Sequence, residues 1–209
     1  MNFQLPRIYP ITDRQLSGLP HAEQVRLLID GGAQFIQLRD KHLPAAQFYA
    51  DAVKAIEIAR ISNVKIIIND RVDIALVTDA DGVHLGQDDL PPAEARKILG
   101  PDAIIGYSTH SVEQAIEAIN EPVDYLAAGP VFATASKGNP DPVIGLDGLR
   151  AIRSAIGDVF PLVAIGGIGA DSARRVLDAG ADSIALISAV VTDAELISAK
   201  MKELRDMTK

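Results

Sequence analysis

Short, continuous apolar runs alternate with amphipathic helical stretches from one end of the chain to the other, and this alternation restricts the fold more than any other feature. The strand-like runs are Arg7–Thr12, Ala33–Leu38, Lys65–Asn69, Gly82–Leu85, Ala103–Gly106, Tyr125–Gly129, Leu162–Ile165 and Ser183–Leu186. They are apolar throughout instead of at every second position, as expected of strands covered on both faces. Between them, sets such as Phe48-Ala52-Ala55-Ile56-Ala59 and Ala173-Val176-Leu177 have the spacing of an apolar helix face. Gly31, Gly100, Gly157 and Gly180 read as helix stops, and Ser111 and Asp171 as N-caps. A short helix is expected after Arg71, and a last one from about Asp193 to Met207. Eight βα units in 209 residues predict an α/β chain, a single (β/α)8 TIM barrel spanning residues 1–209. The competing doubly wound open sheet usually has fewer strands at this length.

The chain is 48% hydrophobic and 23% charged, with few aromatics and no Trp, so its core must be mostly Ile, Leu, Val and Ala. A formal net charge of −8 argues against a nucleic-acid partner, which needs a basic face. Anionic small substrates remain possible where a metal, a few Lys/Arg or helix N-termini supply local positive potential. The lack of Cys excludes disulfides and thiolate chemistry and fits a reducing compartment. Met1 to Pro10 lacks the pattern of a signal peptide, and no apolar run approaches the ~20 residues of a membrane helix. The expectation is a cytoplasmic enzyme or binding protein with no membrane partner.

In such a barrel the reacting groups sit at the C-terminal ends of the strands. Asp70 follows the third apolar run and Asp89 closes Gly86-Gln87-Asp88-Asp89 after the fourth. Carboxylates at neighbouring strand ends can converge on one cation, and Mg²⁺ takes one or two of them with water and substrate phosphate. Singly, Asp70 reads as a helix N-cap and Asp89 as a turn residue; together, beside a Gln/Arg/Lys cluster, they read as a metal pair. That cluster is Gln37, Arg39 and Lys41, which period two places on one side of an extended edge. Arg offers a fork for phosphate oxygens and Lys a point charge, although a solvated strand end is the plainer alternative. The long connection from Pro130 to Gly145 carries Thr134, Ser136 and Lys137, a set suited to phosphate or simply to solvent. Gly166-Gly167 and Ser188-Ala189 end the last two strands, where barrels often cup a phosphate with backbone N–H groups. Of the four His, His21 and His42 read as surface residues, His84 as a packed core residue and His110 as a candidate to face the site. No Ser/His/Asp triad and no Zn spacing is evident.

These motifs together resemble the thiamine phosphate synthase family. QLRDK, NDRVDIAL, GVHLGQDDL, GYSTH, GPVFATASK, GLDGLR, VAIGGI and ISAV occur in family order, from Tyr9-Pro10-Ile11-Thr12-Asp13 to Ile187-Ser188-Ala189. The resemblance implies Mg²⁺-dependent coupling of an aminopyrimidine methyl diphosphate with a hydroxyethylthiazole phosphate, with release of pyrophosphate. It implies that Gln37, Arg39, Lys41 and Asn69 hold the pyrimidine diphosphate, with Leu38 and Asp40 in the same substrate-binding run. Asp70 and Asp89 would bind Mg²⁺, and Ser108 would contact the pyrimidine. Thr134 and Ser136, with Ala135 between them, would contact the thiazole phosphate and Lys137 the diphosphate. Gly167, Ile187 and Ser188 would complete the thiazole-phosphate cup. Arg39, Lys41 and Lys137 are the expected catalytic groups, since departure of a diphosphate needs charge neutralisation more than a base. The sixth loop departs from the family's Pro-Thr-x-Thr-Lys, reading Ala133-Thr134-Ala135-Ser136-Lys137. Two alternatives share the barrel: a thiazole tautomerase using His110, and a non-catalytic sensor of thiazole or thiamine phosphates. Exposed helix faces leave room for a homodimer.

Overall fold

The computed structural model describes residues 5–134, 141–158 and 160–208. Its strands are β1 (Ile8–Thr12), β2 (Phe35–Leu38), β3 (Lys65–Asn69), β4 (Gly82–Leu85), β5 (Ile104–Thr109), β6 (Tyr125–Ala128), β7 (Leu162–Ile165) and β8 (Ser183–Leu186). Each pairs in parallel with the next, and β8 closes on β1 through Ile8–Ile184 and Pro10–Leu186. Alternation divides every strand between two cores. Ile36, Leu38, Ile66, Ile68, Val83 and Leu85 pack with the surrounding helices, while Tyr9, Ile11, Phe35, Ile67, Tyr125, Ala127, Val163 and Ala185 fill the barrel. Continuous apolar runs are the consequence. The helix Ala45–Ile61 buries Phe48, Ala52, Ala55, Ile56 and Ala59 along one face; Phe48 and Ile56 each contribute about 2 kcal/mol by leaving water.

At the N-terminal ends of the strands one device recurs. Asp81, Asp124 and Asp182 each immediately precede an even-numbered strand. Each accepts from a backbone N–H of the preceding strand, Ile66, Ile105 and Leu162 respectively, all at 2.8 Å. Each also binds a cation, Lys65, Arg96 or Arg153. Arg153 additionally donates to the carbonyls of Gly157, Phe160 and Gly180 at 2.7–2.9 Å. This end of the barrel holds strand register.

Several sequence expectations shift. β5 runs on past Gly106, because Tyr107, Ser108 and Thr109 keep pairing with Leu126, Ala127 and Ala128 in spite of their polarity. Asp171 is not a cap: Gly169 holds that position, bonded to the Ser172 hydroxyl at 3.0 Å, and Asp171 lies in the first turn. Ser111 does cap its helix, accepting from Gln114 N–H at 3.2 Å. The last helix opens with a 3₁₀ turn, Ala194–Leu196, before Ile197–Met207, and a short helix, Ser188–Val191, precedes it. His21 is fully buried, not on the surface. Its ring lies 2.7 Å from the Thr12 hydroxyl and 3.3 Å from Asp40, with the Phe48 ring beside it, because the helix it opens packs that end against Ala45–Ile61.

Arg153→Ala leaves three carbonyls and Asp182 without their cation. Loss of about 2–4 kcal/mol in urea unfolding is expected, with the C-terminal cavity undisturbed; an unchanged midpoint would show the clamp to be dispensable.

Candidate active site

A cavity of about 420 Å³ is framed by the C-terminal ends of the strands. The parity that turns Phe35 into the barrel also turns Gln37, Arg39 and Lys41 toward this cavity, and all three line it. Leu38 and Asp40, the other two residues of the substrate-binding run, have the opposite parity: the Leu38 side chain is fully buried among the helices. Asp40 accepts from His42 and Leu43 N–H at 2.8 Å and pairs with His21, so it shapes the loop that carries Lys41. Arg39 is steadied by Asp13 at 3.6 Å, which also caps the short helix Arg14–Ser17.

Asn69, Asp70 and Asp89 meet this cluster in the same cavity. Asp70 holds a left-handed backbone, φ +61°, unusual for a residue with a side chain and a common form of stored strain at functional positions. Its carboxylate is ion-paired with Lys41. Asp89 accepts from Gly86 N–H at 2.7 Å. Burial pushes the Asp89 carboxyl above the usual carboxylate range; the Gly86 N–H pulls it down, and the neighbouring Asp70 charge adds to the rise. The two mutually repelling carboxylates are oxygen donors of the kind a hard divalent cation takes, whereas the Lys41 ammonium is no ligand and would have to yield Asp70 to the ion. Among the described residues no group of three or more His, Asp or Glu side chains forms a metal site, so a cation held here needs further ligands from water or substrate. The buried amide nitrogen of Asn69 has no hydrogen-bond partner among the described residues, a donor left for a ligand acceptor.

Ser108, Thr134, Gly167, Ile187 and Ser188 line the same cavity. Gly167 has φ +63°, and a Cβ there would stand 2.5 Å from the Ala133 carbonyl oxygen, so only glycine lets β7 turn away under the sixth loop. Ala135, Ser136 and Lys137 lie outside the described residues. His110 lines the cavity with Nδ1 2.6 Å from the Gly129 carbonyl and Nε2 3.4 Å from Asp141.

A family model described as thiamine monophosphate synthase matches residues 8–190. The chain is 45% identical over 200 residues to the thiamine-phosphate synthase of Chloroflexus aurantiacus, covering 95% of this chain and 91% of that one. It is 46% identical over 200 residues to that of Methanoculleus marisnigri, covering 95% and 93%. The chain belongs to the thiamine-phosphate synthase family. Its members are transferases. Among solved structures, the thiamine phosphate pyrophosphorylase from Pyrococcus furiosus superposes with a TM-score of 0.86 at 44% identity, covering 97% of this chain and 95% of that one. A structure described as native KDPGal, at 14% identity and a TM-score of 0.74, shares the fold alone.

For this synthase-family chain, sequence reasoning missed Tyr9 and Asp13 as site groups and saw in His84 only a core residue. Tyr9 and His84 were accessible through parity: they share the inward face with Phe35 and Ile67, and both line the cavity. His84 is 8% exposed, hydrogen-bonded to Tyr125 and Ser108. Burial lowers its pKa to about 4, with the Asp89 charge opposing the shift.

A depressed folded-state value means that the unfolded chain binds the proton first. His84 therefore contributes stability that is complete above pH 6.5 and lost as pH falls toward 4, roughly 3 kcal/mol in all. Urea unfolding from pH 7.5 to 4.5 should show this slope, and His84→Gln should flatten it. An equally steep slope in the variant would assign the effect to other groups.

Proposed function

We infer that the chain joins an aminopyrimidine methyl diphosphate to a hydroxyethylthiazole phosphate, releasing pyrophosphate, with Mg²⁺ held by Asp70 and Asp89. The observation that carries this reading is one cavity combining the two carboxylates, the cations Arg39 and Lys41 and the unpartnered Asn69 amide. The methylene carbon–oxygen bond breaks with both electrons leaving on the diphosphate. The ring amino group donates into the resulting cation, and the thiazole nitrogen lone pair closes the new carbon–nitrogen bond. A bound Mg²⁺ would supply charge neutralisation to the departing diphosphate. Arg39 adds a fork to the diphosphate oxygens, its aim set by Asp13, and Lys41 a point charge. Asn69 donates its free N–H to the same group. Gly167 and Ser188 bring backbone to the thiazole phosphate, and Thr134, lining the same cavity, adds a hydroxyl. Lys137, a further cation for the diphosphate, rests on the family resemblance. The tautomerase reading gives His110 a task but none to the carboxylate pair.

Purified protein mixed with both half-substrates should form thiamine phosphate and pyrophosphate in equal amounts with Mg²⁺, and neither with a chelator. Folded protein that yields no product would sink the reading. Asp89→Asn keeps an oxygen for Gly86 N–H, so the loop should survive, while kcat falls at least ~100-fold through loss of metal binding. Near-normal turnover would remove Asp89 from the metal site.

A further inference from the structure

Five side chains from five strands form one unbroken hydrogen-bond chain through the barrel interior. Gln37 Nε2 donates to the Tyr9 hydroxyl at 2.8 Å, and the Tyr9 and Tyr125 hydroxyls lie 2.9 Å apart. The Tyr125 hydroxyl is 3.0 Å from His84 Nδ1, and His84 Nε2 is 2.9 Å from Ser108 Oγ. Both ends of the chain, Gln37 and Ser108, line the cavity. The middle is locked in place. Tyr125 is fully buried, stacked on His84 with ring centroids 5.5 Å apart and edge-on to Tyr9 and Phe35. Gly106 makes the room, since a Cβ there would stand 2.3 Å from the Tyr125 hydroxyl and 2.5 Å from His84 Nδ1.

The chain has a direction. With the Gln37 amide nitrogen donating, the arrangement that uses every hydroxyl proton in the chain has Tyr9 accept from Gln37 and pass its own proton on to Tyr125. Tyr125 then donates to His84 Nδ1, which places the imidazole proton on Nε2, where it is donated to Ser108 Oγ. Two consequences reach the cavity. Gln37 is left with its carbonyl oxygen, the acceptor it can offer, beside a second amide N–H, and Ser108 with its hydroxyl proton, a donor. Reversing the amide alone or the imidazole tautomer alone sets two acceptors or two donors face to face, which couples the links.

We propose that Tyr9, Tyr125 and His84 are positioning residues that fix this pattern, so that the cavity selects a heteroaromatic amidine edge, an N–H beside a bare ring nitrogen. The proposal deepens the pyrimidine reading above and rests on it. The oxo counterpart of the ring presents a carbonyl and a ring N–H, mismatched at both ends.

Two measurements on the full-length protein test this. In the first, ¹⁵N NMR of labelled histidine, with the His84 signal assigned through His84→Gln, should show the neutral Nε2–H tautomer. An Nδ1–H tautomer overturns the proposed direction. In the second, calorimetry with Mg²⁺ compares the aminopyrimidine methyl diphosphate with its oxo analogue. The natural chain should prefer the amino form by at least ~100-fold, and Tyr125→Phe should cut that ratio about tenfold or more, since the broken chain is free to reverse. A purely structural tyrosine would lower Tm and leave the ratio unchanged, and that result overturns the proposal. If Tyr125→Phe does not fold, Tyr9→Phe breaks the chain one link earlier and is measured in its place. Failure of both pyrimidines to bind a protein whose His84 is Nε2–H overturns the pyrimidine reading itself, together with the specificity role built on it.

Discussion

Parallel strands that close into a ring of eight leave an interior about as wide as the side chains that fill it. Closure therefore obliges each strand to send every second side chain inward, and that parity governs both the packing and the site. Phe35, Ile67, Val163 and Ala185 fill the barrel. Two residues further along the same strands come Gln37, Asn69, Ile165 and Ile187, all of which line the cavity. The site is the upper continuation of the inner core, where apolar filling gives way to groups that need a ligand.

Stability and chemistry are separated along the barrel axis. At the N-terminal ends, Asp81, Asp124 and Asp182 tie neighbouring strands together with satisfied hydrogen bonds and paired cations. At the other end the features run against stability: the positive φ of Asp70, the adjacent carboxylates of Asp70 and Asp89, and the unpartnered Asn69 amide. Such features persist only because a rigid frame holds them, and a bound cation and phosphates would relieve the last two.

The fold was open to reading because most strands are apolar on both faces and most helices end on or next to a glycine or a polar residue. Lys65–Asn69, Gly82–Leu85, Leu162–Ile165 and Ser183–Leu186 have the same limits in sequence and structure. Misreadings arose where chemistry and position disagree. Tyr107-Ser108-Thr109 looks like a loop yet continues β5, since ladder pairing with β6 outweighs polarity. His21 looks exposed yet is buried, because Thr12 and Asp40, distant from it in sequence or separated by a turn, satisfy its ring.

By itself the sequence determined the barrel, the order of its strands and the residue types at their C-terminal ends. These follow from local periodicity and from motifs in fixed order, properties that short stretches carry without reference to the rest of the chain. Only the tertiary structure decided which groups meet. The pairing of Lys41 with Asp70 spans 29 residues and the bond between Tyr9 and Tyr125 spans 116. Contacts at such separations depend on strand register and on the room left by Gly106, and no local pattern encodes them.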